Sequence, residues 1–239
     1  MKAESIVRSL RKSYVDTQKA SPQTVVDRQW MTKYMRNKFI FFGLKKPLRV
    51  GADKLVLDEY KAQLQNRSVL LQLLPLLWEQ DEREFQHFGG EVARKYRQEL
   101  LGKTELEFNE AIDCIHHLIT TRSWWDTIDM LASNVVGYFV KQRPKLGIAV
   151  MDKWKKDDNI WLRRTAILHQ LNYKGDTNQA WLFDCCKLQA HETEFFIQKA
   201  IGWALREYAK TNPSAVRKFV TQNKQKLSRL STREAMKHL

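Results

Sequence analysis

Apolar residues recur along most of the chain at intervals of three and four residues, the spacing of one face of an α-helix. The first such stripe consists of Ile6, Val7, Leu10 and Tyr14. Further stripes lie within residues 30–39, 124–135, 160–171 and 195–204, and no segment shows the alternation of a half-buried strand. We therefore expect an all-α fold of about a dozen helices joined by short loops.

Capping residues predict where several helices begin and end. Ser21-Pro22 and Asn212-Pro213 each place an N-cap before a first-turn proline. A serine followed three residues later by a glutamate fits a capping box that opens the last helix, at Ser231 and Glu234. The predicted helix stops are glycines, which tolerate the left-handed conformation common after a helix: Gly43, Gly102 and Gly175.

Helical pairs with a period near 35–45 residues favour an α-solenoid of HEAT-like repeats, although the repeat sequences are degenerate and a compact helical bundle is the alternative. A solenoid has a curved inner surface, and a basic concave face would explain the charge of the chain. No linker or change of composition divides the sequence, so we expect one domain over residues 1–239.

Composition excludes several classes of protein. Three cysteines in 239 residues cannot form a disulfide framework, and they are typical of a reducing compartment. The sequence has no apolar run long enough to span a membrane and no signal-peptide core, so we expect a cytoplasmic protein that does not bind membranes. Zinc-ligand spacings and glycine-rich nucleotide motifs are absent, which predicts neither a metal nor a cofactor.

The positive charge of the chain is concentrated in two zones. Residues 1–50 contain 12 Lys/Arg and 3 Asp/Glu, a balance of +9, and residues 121–239 contain 21 and 11, a balance of +10. The middle, residues 51–120, contains 8 and 13, a balance of −5, which brings the total to +14. This pattern favours nucleic acid as the partner over charge that serves solubility alone.

The run S-W-W-D-T-I-D, residues 123–129, carries the first candidate chemistry. Trp124 belongs to the apolar stripe with Ile128 and is expected in the core. Trp125 and Asp129 are four residues apart, so they share one helix face. An indole beside a carboxylate suits a cation, although a structural pair is the more common meaning of this spacing.

Two later helices supply further candidates. Arg163 and Arg164 are adjacent and must point to different faces, so one of them could hold a phosphate with its planar guanidinium. Trp203 follows Gly202, which would allow the close approach of a neighbouring helix. Core packing of this tryptophan and a solvated arginine are the alternative interpretations.

Five segments resemble the AlkD family of DNA alkylation-repair glycosylases, and they follow the family's order over nearly the whole chain. The longest match is E-F-F-I-Q-K-A-I-G-W-A-L-R-E-Y-A-K-T-N-P, residues 194–213. The others are K-Y-M-R-N-K-F-I-F-F-G-L (33–44), S-W-W-D-T-I-D (123–129), D-N-I-W-L-R-R-T-A-I-L-H-Q-L (158–171) and L-S-T-R-E-A-M-K-H (230–238). Residues 51–98 match only loosely.

This resemblance implies a HEAT-like solenoid and a role for each matched residue. It implies that Asp129 is the catalytic carboxylate and that Trp125 and Trp203 line the site facing the damaged nucleotide. It implies DNA contacts for Arg164, which would grip a phosphate near the lesion, and for Tyr34. Basic residues expected to bind DNA complete the set: Lys45, Lys46, Arg49, Lys199 and Arg206. Val50 stands where the family's loop would have another basic residue.

The implied activity is excision of purines alkylated at N3 or N7, such as 3-methyladenine and 7-methylguanine, from duplex DNA. The enzyme would be a monofunctional glycosylase of base excision repair that hydrolyses the N-glycosidic bond without a base-flipping pocket. A monomer is the simpler expectation for such a protein. The alternative from another class is a non-catalytic helical-repeat module that binds DNA or a protein.

Overall fold

The computed structural model describes residues 2–239, and these residues contain no β-strand. Ile40 and Glu82 form an isolated parallel bridge. The predicted all-α fold is confirmed, with neighbouring helices packed on one another as expected for helical repeats. The described chain divides into two compact units, one ending at Arg122 and the other spanning Ser123–Leu239. The single domain and the basic concave face remain predictions.

The N-terminal unit contains eight helices: α1 (Lys2–Ala20), α2 (Thr24–Tyr34), α3 (Lys46–Glu59), α4 (Lys61–Leu64), α5 (Arg67–Glu79), α6 (Arg83–Lys95), α7 (Arg97–Leu101) and α8 (Glu105–Thr120). Helix α5 is at the centre, because α1, α6 and α8 all pack against it. The predicted stripe of α1 is confirmed, since Ile6, Leu10 and Tyr14 are fully buried. Between α2 and α3 the chain is largely extended, and Phe39, Phe41 and Phe42 point into the core.

The C-terminal unit also contains eight α-helices: α9 (Trp125–Met130), α10 (Gly137–Gln142), α11 (Pro144–Trp154), α12 (Ile160–Leu168), α13 (Gln179–Leu188), α14 (Phe195–Ala209), α15 (Pro213–Gln222) and α16 (Arg229–Ala235). A π-helical segment, Leu131–Val136, joins α9 to α10, and a short 3-10 helix, Lys174–Asp176, precedes α13. Helix α14 packs against α12, α15 and α16, and its buried face forms the core with α12 and α13.

The predicted helix starts are partly correct. The side chain of Asn212 accepts a hydrogen bond from the Ala215 amide, and Pro213 opens α15 as expected. Ser21 is not an N-cap: α2 begins three residues later at Thr24, whose hydroxyl donates to the Ser21 carbonyl oxygen at 2.7 Å. The Ser21-Pro22 pair instead forms the turn before the helix.

The capping box predicted at Ser231 is wrong. Ser228 caps α16 by accepting a hydrogen bond from the Ser231 amide, so Ser231 lies inside the helix. Its hydroxyl donates to the carbonyl oxygen of Gln198 in α14 at 2.9 Å, and Glu234 pairs with basic side chains of α14 instead. Tertiary packing therefore uses two residues that local spacing assigned to a cap.

Of the three predicted glycine stops, only Gly102 ends a helix, with φ of +72° after α7. Gly43 lies nine residues beyond the end of α2, and its φ is +93°. A Cβ atom there would lie 2.1 Å from the Thr24 carbonyl oxygen, so close packing of the extended segment requires this glycine. Gly175 lies in the short 3-10 helix.

Candidate active site

Helix α9 begins with the predicted tryptophan–aspartate pair. Trp124 is buried at the N-cap position, as its apolar stripe predicts, and Trp125 is the first helical residue. Trp125 and Asp129 therefore lie one turn apart on the same face of α9. The Asp129 side chain is 17% exposed. Solvent reaches this carboxylate, while most of its surface is covered.

Arg164 of α12 forms a two-point ion pair with Asp129. Its Nε donates to Asp129 Oδ1 at 2.7 Å, and its Nη2 donates to Asp129 Oδ2 at 2.8 Å. A third donor, Nη1, binds the backbone carbonyl oxygen of Phe196 in α14. The Arg164 side chain is only 4% exposed. One guanidinium therefore joins α9, α12 and α14 and fixes the orientation of the carboxylate.

The ionisation of Asp129 is set by two opposing effects. Burial raises the pKa of its carboxyl group above the ordinary value, and the hydrogen bonds and charge of Arg164 lower it. Burial is the larger effect, and the nearby Asp126 adds to it. The pKa is therefore raised, although the group keeps a cationic partner that favours the ionised form.

An aromatic cluster lies beside this ion pair through the ring of Phe196. Trp124, Trp161 and Phe196 form a triangle whose ring centroids are 5.0–5.7 Å apart. The Arg164 guanidinium carbon lies 5.9 Å from the centroid of Phe196. Because the Arg164 side chain is almost fully buried, solvent screens its interaction with Asp129 only weakly.

Trp203 is half-buried on α14, where it packs against the core of the C-terminal unit. The close approach predicted beside it is confirmed. A Cβ atom on Gly202 would lie 2.5 Å from the Glu234 Cβ and 3.0 Å from the Ser231 carbonyl oxygen of α16. Helix α16 therefore packs directly against the backbone of α14 next to this tryptophan.

Lys199 and Arg206, both predicted to bind DNA, pair with the same carboxylate in α16. Lys199 Nζ lies 2.8 Å from Glu234 Oε1, and Arg206 Nη1 contacts Oε2. Lys199 and Arg206 hold the pKa of Glu234 below its ordinary value. Both cations keep partly exposed side chains, and their DNA contacts remain predictions.

The basic candidates of the N-terminal unit differ in exposure. Tyr34 and Lys46 are exposed, and Lys45 is exposed while it pairs with Asp27 at 2.7 Å. Arg49 is buried instead, which contradicts the expectation that it faces DNA.

Arg49 is part of a buried polar cluster in the N-terminal unit. Its Nη1 lies 2.6 Å from Asp53 Oδ2, and the same carboxylate accepts a hydrogen bond from the Tyr14 hydroxyl at 2.6 Å. Arg49 lies one helical turn after Lys45, and its side chain is buried. Through Asp53 it is connected to Tyr14 of α1, so it contributes to the packing of α1 against α3.

The extended segment before α3 is fixed by one buried glutamate. The Glu84 carboxylate accepts hydrogen bonds from the backbone amides of Phe42, Gly43 and Leu44 at 3.0–3.1 Å. Burial raises the pKa of Glu84, while these hydrogen bonds lower it. These hydrogen bonds fix the position of the backbone immediately before Lys45 and Lys46.

The family described as DNA alkylation repair enzyme matches residues 20–239. The chain belongs to this family. A solved structure described as a predicted DNA alkylation repair enzyme from Enterococcus faecalis is similar, with 29% sequence identity and a TM-score of 0.78. The match covers 89% of this chain and 94% of that chain. No curated protein matches the chain significantly.

The structure of this alkylation repair protein brings together only some of the predicted site residues. Asp129 and Arg164 are in direct contact, and Trp125 shares the helix face of Asp129. Lys199 and Arg206 both pair with Glu234, which packs against Gly202, the residue before Trp203.

Among residues 2–239, no group of three or more His, Cys, Asp or Glu side chains could hold a metal ion. In the same range, no helix is long and apolar enough to cross a membrane.

The pairing of Arg164 with Asp129 is not among the contacts predicted from the sequence, although the sequence of this repair protein contains a signal for it. Arg164 falls four residues after Ile160 and four before Leu168, within the apolar stripe of α12. If another element covers that face, an arginine at such a position is buried and needs a partner for its charge. The role of Phe196, which accepts through its backbone oxygen, has no comparable signal because any residue offers that atom.

Proposed function

We propose that this member of the alkylation repair family is a monofunctional DNA glycosylase that excises cationic N3- and N7-alkylated purines from duplex DNA. The observation that supports this proposal most directly is a single carboxylate, Asp129, that is held at two points by Arg164 and shares a helix face with Trp125. Substrates of the type of 3-methyladenine and 7-methylguanine fit this site because their purines carry a positive charge.

The reaction needs stabilisation of a positive sugar and a nucleophilic water. As the bond between C1′ and the purine nitrogen breaks, the bonding electrons go to the purine, which leaves as a neutral base. The sugar gains oxocarbenium character, which ionised Asp129 would stabilise electrostatically. Water then adds to C1′, and its proton passes to Asp129 or to solvent. The indole faces of Trp125 and Trp203 would favour the sugar cation by about 0.5–2 kcal/mol each.

Arg164 would act as a positioning residue for this carboxylate. Three of its five N–H groups are engaged, two by Asp129 and one by Phe196, so two remain for another acceptor. A DNA phosphate could take these two donors, but the burial of the side chain means that the surrounding residues must first move apart. We therefore propose orientation of Asp129 as the primary role of Arg164 and phosphate binding as a second role.

The proposed partner is double-stranded DNA bound by a monomer, with Tyr34, Lys45, Lys46, Lys199 and Arg206 as proposed contacts. The lysines and arginine would supply an affinity that falls steeply as salt concentration rises. Because the lesion's own charge weakens its glycosidic bond, selectivity would not require extrusion of the base into a pocket. Neutral lesions should then be poor substrates.

The test is base release from duplex DNA containing a single 7-methylguanine or 3-methyladenine under single-turnover conditions. Asp129→Asn should lower the rate by about 10²- to 10³-fold because it removes the stabilising charge. Its affinity for the same duplex should change little. The matched control is Asp184→Asn, which removes an exposed carboxylate of the same unit and should keep the wild-type rate.

Two results would reject the proposal. An Asp129→Asn protein with the wild-type rate would show that the assigned carboxylate is wrong. A wild-type protein that binds damaged and intact duplex equally and releases no base would instead indicate a non-catalytic DNA-binding module.

A further inference from the structure

Helix α2 carries an apolar stripe on its outer face. The side chains of Val26, Trp30 and Tyr34 follow one another at four-residue intervals and are 59%, 55% and 57% exposed. Trp30 belongs to the helical stripe of residues 30–39, and its side chain faces solvent. The buried side of α2 is formed by Thr24 and Asp27. Exposed large apolar groups that adjoin one another are typical of an interaction site.

Trp30 and Tyr34 are arranged as a parallel stack. Their ring centroids are 5.1 Å apart, and their planes differ by 10°. Lys45 Nζ lies 5.8 Å from the centroid of the Trp30 ring, and Asp27 holds this ammonium at 2.7 Å. The rings therefore have a defined orientation before any ligand binds, which reduces the entropy lost on binding.

The charge around the stack indicates what binds to it. Residues 24–46 contain six Lys/Arg and one Asp, a balance of +5. An apolar ligand that also carries many negative charges fits such a surface, and a nucleic acid strand combines both features. Stacking on aromatic side chains is how proteins bind bases that lack a partner, because every base offers a flat π-face.

We propose that the Trp30–Tyr34 stack binds a DNA base that has lost its pairing partner. This inference rests on the proposed function in one respect, the choice of DNA as the ligand. Bases within an intact duplex have both faces covered by their neighbours, so they cannot stack on a protein ring without leaving the helix. Release of a damaged purine leaves the opposite base unpaired, and that base can leave the helix at a smaller cost. Trp30 thereby becomes a binding residue for the product of base excision.

The test compares two duplexes that differ at one position. One carries 2-aminopurine opposite a tetrahydrofuran abasic analogue, and the other carries 2-aminopurine opposite thymine. The full-length protein should bind the abasic duplex more tightly and should quench its 2-aminopurine fluorescence through stacking. Trp30→Ala should lose about 5- to 100-fold of the affinity for the abasic duplex while its affinity for the paired duplex stays unchanged.

Two variants serve as controls. Trp30→Phe keeps a ring and should retain most of the preference, whereas Val25→Ala changes an exposed apolar residue of the same helix and should retain all of it. Circular dichroism should show the same helical content in every variant.

Several results would overturn the inference. A Trp30→Ala protein that keeps the wild-type preference would exclude the stack as the binding site, and a wild-type protein without any preference would exclude the ligand. Sedimentation that shows a wild-type dimer dissociated by Trp30→Ala would assign the stripe to self-association. Because tetrahydrofuran has no base to release, these outcomes do not depend on glycosylase activity. Binding without base release would reject the proposed function and leave this inference standing.

Discussion

Substitution of Arg164 by methionine should remove the cation that pairs with the Asp129 carboxylate. Methionine keeps an unbranched side chain, so the change removes the guanidinium with little change in volume. It leaves Asp129 mostly buried and without the two hydrogen bonds of 2.7 and 2.8 Å. The backbone carbonyl of Phe196 also loses a donor.

The magnitude follows from the burial of this pair. Its side chains are 4% and 17% exposed, so solvent screens the interaction weakly. Removing one partner of a buried ion pair costs about 3–5 kcal/mol because the other charge stays desolvated. We expect the free energy of unfolding of Arg164→Met to fall by about that amount at pH 8.

The loss should depend on pH. Arg164 lowers the pKa of Asp129 and burial raises it, so removing Arg164 raises this pKa further. At pH values between the Asp129 pKa of the folded wild type and that of the folded variant, the folded variant binds more protons than the folded wild type. The stability deficit should therefore be small near pH 4 and should grow as pH rises through that window. The acid limb of the base-release rate should shift to higher pH for the same reason.

Urea denaturation followed by circular dichroism at pH 4, 6 and 8 measures the deficit. The double variant Asp129→Asn/Arg164→Met should be more stable than Arg164→Met alone at pH 8, because it buries no charge. Arg163→Met is the matched control: Arg163 lies on the same helix and binds Glu192 and the backbone of Asp157. A deficit that is the same at all three pH values, and that Asp129→Asn does not reduce, would refute the reasoning.

Two further predictions concern packing and titration away from Asp129. Gly202→Ala should destabilise the protein by about 1–3 kcal/mol in thermal unfolding, because the new methyl group would lie 2.5 Å from the Glu234 Cβ; Gly175→Ala, with open space around it, should have little effect. Asp53 has a pKa raised to about 6 by burial, against the opposing effect of Arg49, so its contribution to stability should be lost as pH rises from about 4 to 6. Asp53→Asn should flatten that part of the stability–pH curve, and an unchanged curve would show that Asp53 does not titrate there.

Much of the fold could be predicted because helical spacing reports the buried face directly. The residues Ile6, Leu10 and Tyr14 all proved to be core, as did Trp124 and Ile128. Trp30 has the same helical spacing, but its side chain is exposed. Periodicity shows that apolar residues share a face, but it does not show whether another element covers that face.

The candidate site could be predicted only in part. The four-residue spacing of Trp125 and Asp129 places them on one face wherever a helix forms, so that geometry follows from local structure. The contact between Asp129 and Arg164 joins residues 35 positions apart, and it depends on how α9 packs against α12. Local spacing likewise assigned Glu234 to a cap, whereas tertiary packing gives it to Lys199 and Arg206.

The π-helical segment, Leu131–Val136, lies between Asp129 and a fixed part of the backbone. Beyond it the backbone is fixed: the Tyr173 hydroxyl donates to the Gly137 carbonyl oxygen at 2.6 Å, and a Cβ atom on Gly137 would lie 2.2 Å from the His169 carbonyl oxygen. A π-turn holds an extra residue compared with an α-turn. Deleting one residue from this segment should therefore restore a regular helix with little rotation of Asp129, whereas a deletion from a regular α-helix would rotate it by about 100° about the axis. The π-turn thus lets the chain carry an additional residue between Asp129 and Gly137 while the carboxylate keeps its contact with Arg164.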